Sequence, residues 1–246
     1  MEALTNHSTI RKFRNQPVTD EMIRDILENG IRASNTGNMQ WYSIVVTTDK
    51  SILLQMAPLH FNQRPAVTAP VILTFCADIN RFYKWCILNQ AIPGYDNFLS
   101  FFNAATDALL AAQNVCVAAE NFSLGICYLG TCVYNAAELI QLLQLPERVV
   151  PVTSVAIGWP DEAPRLTDRL PFEAVVHKDR YRDYGDEEIK TLYRDKENLA
   201  SSLQFVLENG KNTLAQVFTD IRYKKLDNEY FSGKFLNTLK AQGFTD

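Results

Sequence analysis

PVILTFCAD, residues 70–78, runs apolar without alternation and ends on a carboxylate. A strand wetted on one side alternates apolar and polar residues, so an unbroken run of this length predicts a central strand covered on both faces. Something must supply the cover. FLSFFNAATDALLAAQNVCVAAENF (98–122) is long and apolar nearly all round, which predicts a helix buried on every side. Asn103, Asp107, Gln113, Asn114 and Glu120 interrupt it too often for a membrane span. Asp107 and Glu120 are read as satisfied buried carboxylates in preference to acid catalysts.

Other elements follow outward from this pair. Thr19 precedes Asp20 and Glu21 and then Met22, Ile23, Ile26, Leu27 and Ile31, the spacing of a capped amphipathic helix. Residues 43–48 (SIVVTT) read as a strand, followed by a short helix from Lys50. A strand at 125–129, a helix at 136–143 and a strand at 149–158 come next, closed by Trp159-Pro160. Beyond about residue 179 the pattern turns charged and helical, at 186–203, 211–221 and 226–241. With no repeat and no linker, residues 1–246 are expected to form a single domain, about 180–246 being a helical extension. Strands and helices mix without steady alternation, so the fold class is α+β, not doubly wound.

Composition narrows the function. The chain has 246 residues, 24 Lys+Arg against 28 Asp+Glu for a net charge of −4, 47% hydrophobic and 21% charged residues. A chain of this kind builds an ordinary core, and its acidic balance predicts no nucleic-acid partner. Five cysteines (76, 86, 116, 127, 132) in largely apolar surroundings read as buried thiols of a reducing compartment. The three histidines, at 7, 60 and 177, are too scattered for a metal site. The opening MEALTNHSTIRKF has no apolar h-region, so a cytoplasmic, membrane-free protein is expected. There is no GxGxxG or GxSxG, and the Walker-like Gly125-x4-Gly130-Thr131 lacks the lysine that must reach a phosphate.

Four polar segments remain. His7-Ser8-Thr9-Ile10-Arg11 offers several donors to one anion. Ala33-Ser34-Asn35-Thr36-Gly37-Asn38-Met39-Gln40-Trp41 is an amide-rich loop suited to a flat heteroaromatic. In Tyr128-Leu129-Gly130-Thr131 the glycine lets backbone approach a ligand, and residues 164–171 (PRLTDRLP) form a basic loop after the last strand.

Taken in order, these segments resemble the FMN-dependent nitroreductase family, in its oxygen-insensitive NADPH nitroreductase and NADPH–flavin oxidoreductase branch. The resemblance spans the chain through HSTIRKF, ASNTGNMQ, FCADINR (75–81), NxxxAAExxxLGxxYLG (114–130), LLQLPERVVP (142–151) and GWPDEAPRLTDRLP (158–171). It implies a central, mostly antiparallel sheet flanked by helices, and an intertwined homodimer whose extension contacts the partner and whose interface holds two FMN sites. His7, Ser8, Thr9 and Arg11 match the phosphate and ribityl side, with Arg169 as a second phosphate cation and Thr167 beside it. Asn35, Thr36 and Gln63 match positions that hydrogen-bond the ring or ribityl chain. Tyr128, Leu129, Gly130 and Thr131 match a loop whose backbone faces the flavin near N5.

The implied activity is two-electron, ping-pong hydride transfer from NADPH or NADH to nitroaromatics, quinones or flavins, with no catalytic side chain. The alternative is an FMN storage or sensor protein of the same fold with little turnover. This chain departs from the family pattern at Ser8 (Arg in the family), Thr9 (Ser), Thr131 (Gly) and Thr167 (a basic residue). Fewer cations near the ring imply a lower flavin potential. In residues 208–213 the only cation that could meet a 2′-phosphate is Lys211, which leaves the nicotinamide preference open.

Overall fold

The computed structural model describes residues 2–245, which fall into two compact units: residues up to Arg165 together with Phe231 onward, and Leu166–Tyr230. In the first unit the order is α1 (Glu2–Thr5), α2 (Asp20–Gly30), β1 (Tyr42–Thr47), α3 (Lys50–Leu59), α4 (Arg64–Thr68), β2 (Val71–Asp78), α5 (Asn80–Leu88), α6 (Phe98–Asn121), β3 (Gly125–Leu129), α7 (Ala136–Leu142) and β4 (Val149–Gly158). The second unit holds α8 (Asp186–Glu197), α9 (Ala200–Glu208), α10 (Leu214–Val217) and the start of α11 (Lys225–Ala241), which joins the first unit from Phe231. None of the described helices is long and apolar enough to cross a membrane.

The sheet is antiparallel throughout, in the order β1-β2-β4-β3, which is the α+β architecture expected. All eight residues of β2 are buried, as the unbroken apolar run requires. Alternation then sorts its side chains: Val71, Leu73 and Phe75 join Ile126, Val155 and Ile157 against α2 and α6. Ile72, Cys127, Leu129 and Ala156 face the other way, into a layer with Met56 of α3 and Leu139 of α7. The register between β2 and β4 shifts after Phe75, where Pro151 enters the ladder, the sort of irregularity at which a strand accepts proline. A third cluster, around Trp41, Phe101 and Ala104, includes Leu239 and Phe244.

Helix α2 begins where the cap was read: the Thr19 side chain accepts from Met22 N. The two helical patterns at 186–203 and 211–221 break further than expected, at Asn198–Leu199 and at a π-type turn over Phe218–Arg222. Helix α6 departs more. Its packed face is small (Ala104, Ala108, Ala111, Ala112, Ala119), which lets it lie close on the sheet. Apart from Phe101 and Val115, its large residues lie towards the other side, with Leu99 68%, Phe102 59% and Leu109 45% exposed. Burial on every side, expected from hydropathy, is therefore not met within one chain. Hydropathy counts apolar residues without distinguishing what covers them.

Candidate functional site

The N-terminal arm is held as an extra strand beside the sheet. Ile10 N donates to Ile126 O at 3.0 Å, Arg14 N to Trp159 O at 2.9 Å and Asp161 N to Lys12 O at 3.0 Å, with a bridge between Phe13 and Pro160. Gly125 permits the approach, since a Cβ there would lie 2.5 Å from the Ile10 side chain. The carboxylate of Glu162 accepts from the backbone N–H groups of both Arg11 and Lys12, fixing the segment that carries the expected phosphate donors. His7 is anchored separately: its Nδ1 lies 2.6 Å from Glu120 Oε1 at the C-terminal end of α6. Among the described residues, the hydroxyls of Ser8 and Thr9 and the guanidinium of Arg11 make no hydrogen bond or ion pair inside the chain. Arg11 is exposed, and its charge reaches Cys127, whose thiol is raised by burial and drawn partly back by that cation.

At the end of β3 the four residues of the YLGT segment divide their tasks. The Tyr128 side chain turns into the core against α6, where burial and the Cys116 thiol push its hydroxyl well above the usual phenol range. Leu129 is buried in the opposite layer. Gly130 is exposed, and a Cβ built on it would meet nothing within 4 Å. The Thr131 side chain is buried, its Oγ1 2.9 Å from His60 Nδ1. Asn135 Nδ2 donates to Leu59 O at 2.6 Å, so the segment after Gly130 is tied twice to the turn that follows α3. That turn carries Gln63, exposed at the start of α4, with Phe61 and Asn62 in the left-handed region at φ 54° and 51°.

The amide-rich loop is pinned elsewhere on α6. Asp107, 1% exposed, accepts from Thr36 N at 2.8 Å, Thr36 Oγ1 at 3.0 Å and Trp41 N at 3.3 Å. Its carboxylate holds a backbone that turns left-handed at Gly37, Asn38 and Gln40. Asn35 Oδ1 accepts from Gln40 N at 3.3 Å, and Arg81 donates to the carbonyls of Gln40 and Tyr42. The hydroxyl of Thr36 is thus already spent on Asp107. Glu120 and Asp107 are 13 residues apart on one helix, about 20 Å at 1.5 Å per residue.

The structure accordingly brings the His7–Arg11 arm, β3 and the turn bearing Gln63 together, and anchors the Asn35–Thr36 loop near the middle of α6, at Asp107. Thr167 and Arg169 lie in the second unit, where Arg169 donates to Thr167 Oγ1 at 2.8 Å and to Asp168 O at 2.9 Å. Asp168 pairs with Lys196 at 2.7 Å, and Lys211 pairs with Asp220 at 2.9 Å. Sequence reasoning missed His60 and Glu162. His60 stands in no motif, Glu162 lies unremarked inside the 158–171 block, and each meets its partner across a separation (71 and 151 residues) that no spacing rule covers.

Residues 4–159 match the model of the Nitroreductase family. The chain is 32% identical over 220 residues to the oxygen-insensitive NADPH nitroreductase of Salmonella typhimurium, covering 89% of this chain and 88% of that one. It is 32% identical over 191 residues to the NADPH-flavin oxidoreductase of Vibrio harveyi, covering 78% of each. Among solved structures, a Bacteroides fragilis protein superposes with TM-score 0.98 at 49% identity over the whole of both chains. The NADPH:FMN oxidoreductase of Vibrio harveyi, complexed with NAD+, superposes with TM-score 0.78 at 27% identity, covering 100% of this chain and 98% of that one.

Proposed function

The chain belongs to the nitroreductase family, and from that premise we infer that it is an FMN-dependent oxidoreductase that uses NADPH or NADH to reduce nitroaromatics, quinones or flavins. The observation that carries the reading is the set of uncommitted donors on the pinned arm. Ser8, Thr9 and Arg11 run beside a strand that ends in an open glycine. Hydroxyls and a guanidinium suit a phosphate, and bare backbone suits the edge of a flat ring. His7, its Nδ1 held by Glu120, is assigned with them to the phosphate and ribityl side. Gln63, carried by the turn tied to Thr131 and Asn135, would hydrogen-bond the ring or ribityl chain. Bound FMN supplies the two-electron hydride chemistry; this chain's residues bind and orient it, and no side chain is assigned as acid or base.

The working form is a homodimer in the cytoplasm, a reducing compartment consistent with five buried free thiols. The exposed Leu99, Phe102 and Leu109 face of α6 needs a cover. The two anchors on α6, at the levels of His7 and Thr36, lie about 20 Å apart along the helix. Asn35 and Thr36 are assigned to the ring or ribityl chain of FMN.

The test is an absorption spectrum of the purified protein before and after denaturation, with the released cofactor identified and NADPH and NADH oxidation followed with a nitro or quinone acceptor. One FMN per subunit and acceptor-dependent oxidation are expected. A folded protein that takes up no FMN at saturation would overturn the reading.

A further inference from the structure

His60 is wholly buried, and among the described residues its ring meets one hydrogen-bond partner, Thr131. Its Nε2 is buried with no hydrogen-bond partner among the described residues. Burial pushes the imidazole down from 6.5 to about 4, so the ring is neutral at physiological pH and one nitrogen alone carries the proton. Two arrangements satisfy the 2.9 Å contact, with either Thr131 Oγ1 or Nδ1 as the donor. In both, the contact ties the Thr131 hydroxyl to a buried, uncharged ring.

The placement gives this bond a task. Thr131 follows Gly130, the open residue at the end of β3, and stands where the family pattern has a second glycine. A threonine in place of glycine adds a side chain to a loop that must lie flat against a ligand, and here that side chain is drawn into the protein. The second tie, Asn135 to Leu59, holds the same segment to the same turn. We propose that His60 is a positioning residue for the cofactor loop: the hydrogen bond at its Nδ1 holds the Thr131 hydroxyl inward, so that Gly130 and its neighbours present bare backbone to the flavin. This rests on the FMN reading above.

Four variants and three readouts test it. His60→Leu removes the hydrogen-bonding ring, His60→Asn keeps a polar group near the position of Nδ1, Thr131→Val removes the hydroxyl at constant shape, and Thr131→Gly restores the family residue. FMN dissociation constants, the midpoint potential of the bound flavin and the long-range 15N–1H spectrum of the His60 ring in the FMN-free protein are measured. His60→Leu and Thr131→Val should each weaken FMN about tenfold and shift the potential in the same direction. Their double variant should be no worse than either single one, because the two act through one bond. His60→Asn and Thr131→Gly should stay near wild type, and the ring should be neutral and held in a single tautomer. Thr131→Val, conservative in volume, keeps the test decisive if His60→Leu fails to fold. Wild-type affinity and potential in Thr131→Val, or a ring exchanging freely between its two tautomers, would overturn the inference while FMN binding itself stood. A folded wild type that binds no FMN would overturn the site reading and this inference with it.

Discussion

Asp107 offers the sharpest perturbation, because one carboxylate holds a whole loop. It is 1% exposed and accepts three hydrogen bonds, two from Thr36 and one from the backbone N–H of Trp41, itself buried. Hydrogen bonds to a charged group contribute about 1.5–3 kcal/mol each, and a buried donor left bare costs about 1–3 kcal/mol. Thr36 is only half-buried, so water can replace part of its loss; Trp41 N cannot be rescued in this way. Asp107→Ala should then cost about 3–5 kcal/mol, adding a small cavity to the lost bonds. Asp107→Asn keeps the volume and one acceptor but turns an amide toward one of the donors, for about 2 kcal/mol. Lys84→Ala, exposed on α5, serves as the control and should stay within about 0.5 kcal/mol. Urea unfolding at one protein concentration gives these differences, and limited proteolysis should show new cleavage within residues 35–40. An Asp107→Ala protein as stable as the control, with the loop still protected, would refute the assignment of the loop's anchorage to this carboxylate.

Acid should also unfold the protein through His60. Its folded value is depressed, to about 4 from 6.5, so the unfolded chain binds the proton more readily between those limits. Its contribution is complete above pH 6.5 and is lost as pH falls toward 4, about 2 kcal/mol by pH 5 and about 3 kcal/mol by pH 4. Urea midpoints at pH 7.5 and pH 5 should therefore draw closer in His60→Asn than in wild type, and equal gaps would count against it. The glycines at either end of β3 should separate structure from binding. Gly125→Ala drives a Cβ into Ile10 and should cost about 1–3 kcal/mol and displace the arm. Gly130→Ala meets open space and should leave stability without FMN within about 0.5 kcal/mol while weakening FMN. Calorimetry and FMN titration of the pair distinguish the two roles, and equal destabilisation would remove the distinction. Phe102→Asp, placed on the exposed face of α6, should yield monomers in sedimentation with FMN binding lost; a dimer of wild-type affinity would put the interface elsewhere.

The core was legible because local chemistry and burial agree there. Val71–Asp78 is apolar but for Thr74 and its terminal carboxylate, is buried at every position and lies inside the sheet, and Thr19 caps α2 as its spacing requires. What hydropathy could not resolve is the cover. Leu99, Phe102 and Leu109 read as core by composition, yet nothing in their own chain buries them. The Asn35 loop was visible as an amide-rich segment, but not that three of its residues turn left-handed, since Asn38 and Gln40 adopt that region only because α6 and Arg81 restrain them. Helix breaks in the second unit escaped for a plainer reason. Asn198 and Leu199 carry no proline or glycine to announce an end.

The two acids of α6 carry the larger lesson. Asp107 and Glu120 look alike in sequence, each a carboxylate inside an apolar helix, and each is satisfied by partners as buried charge demands. Satisfaction is not the whole of their role, because every partner belongs to a segment expected at the cofactor. Asp107 fixes the loop of Asn35 and Thr36, and Glu120 fixes His7. The helix sets the distance between the two anchors, about 20 Å at a rise of 1.5 Å per residue over 13 residues. A buried carboxylate is costly unless paired, so such a residue constrains whatever pairs with it. In this chain that constraint falls on the candidate site, because two of its expected polar segments hang from one helix at a fixed spacing.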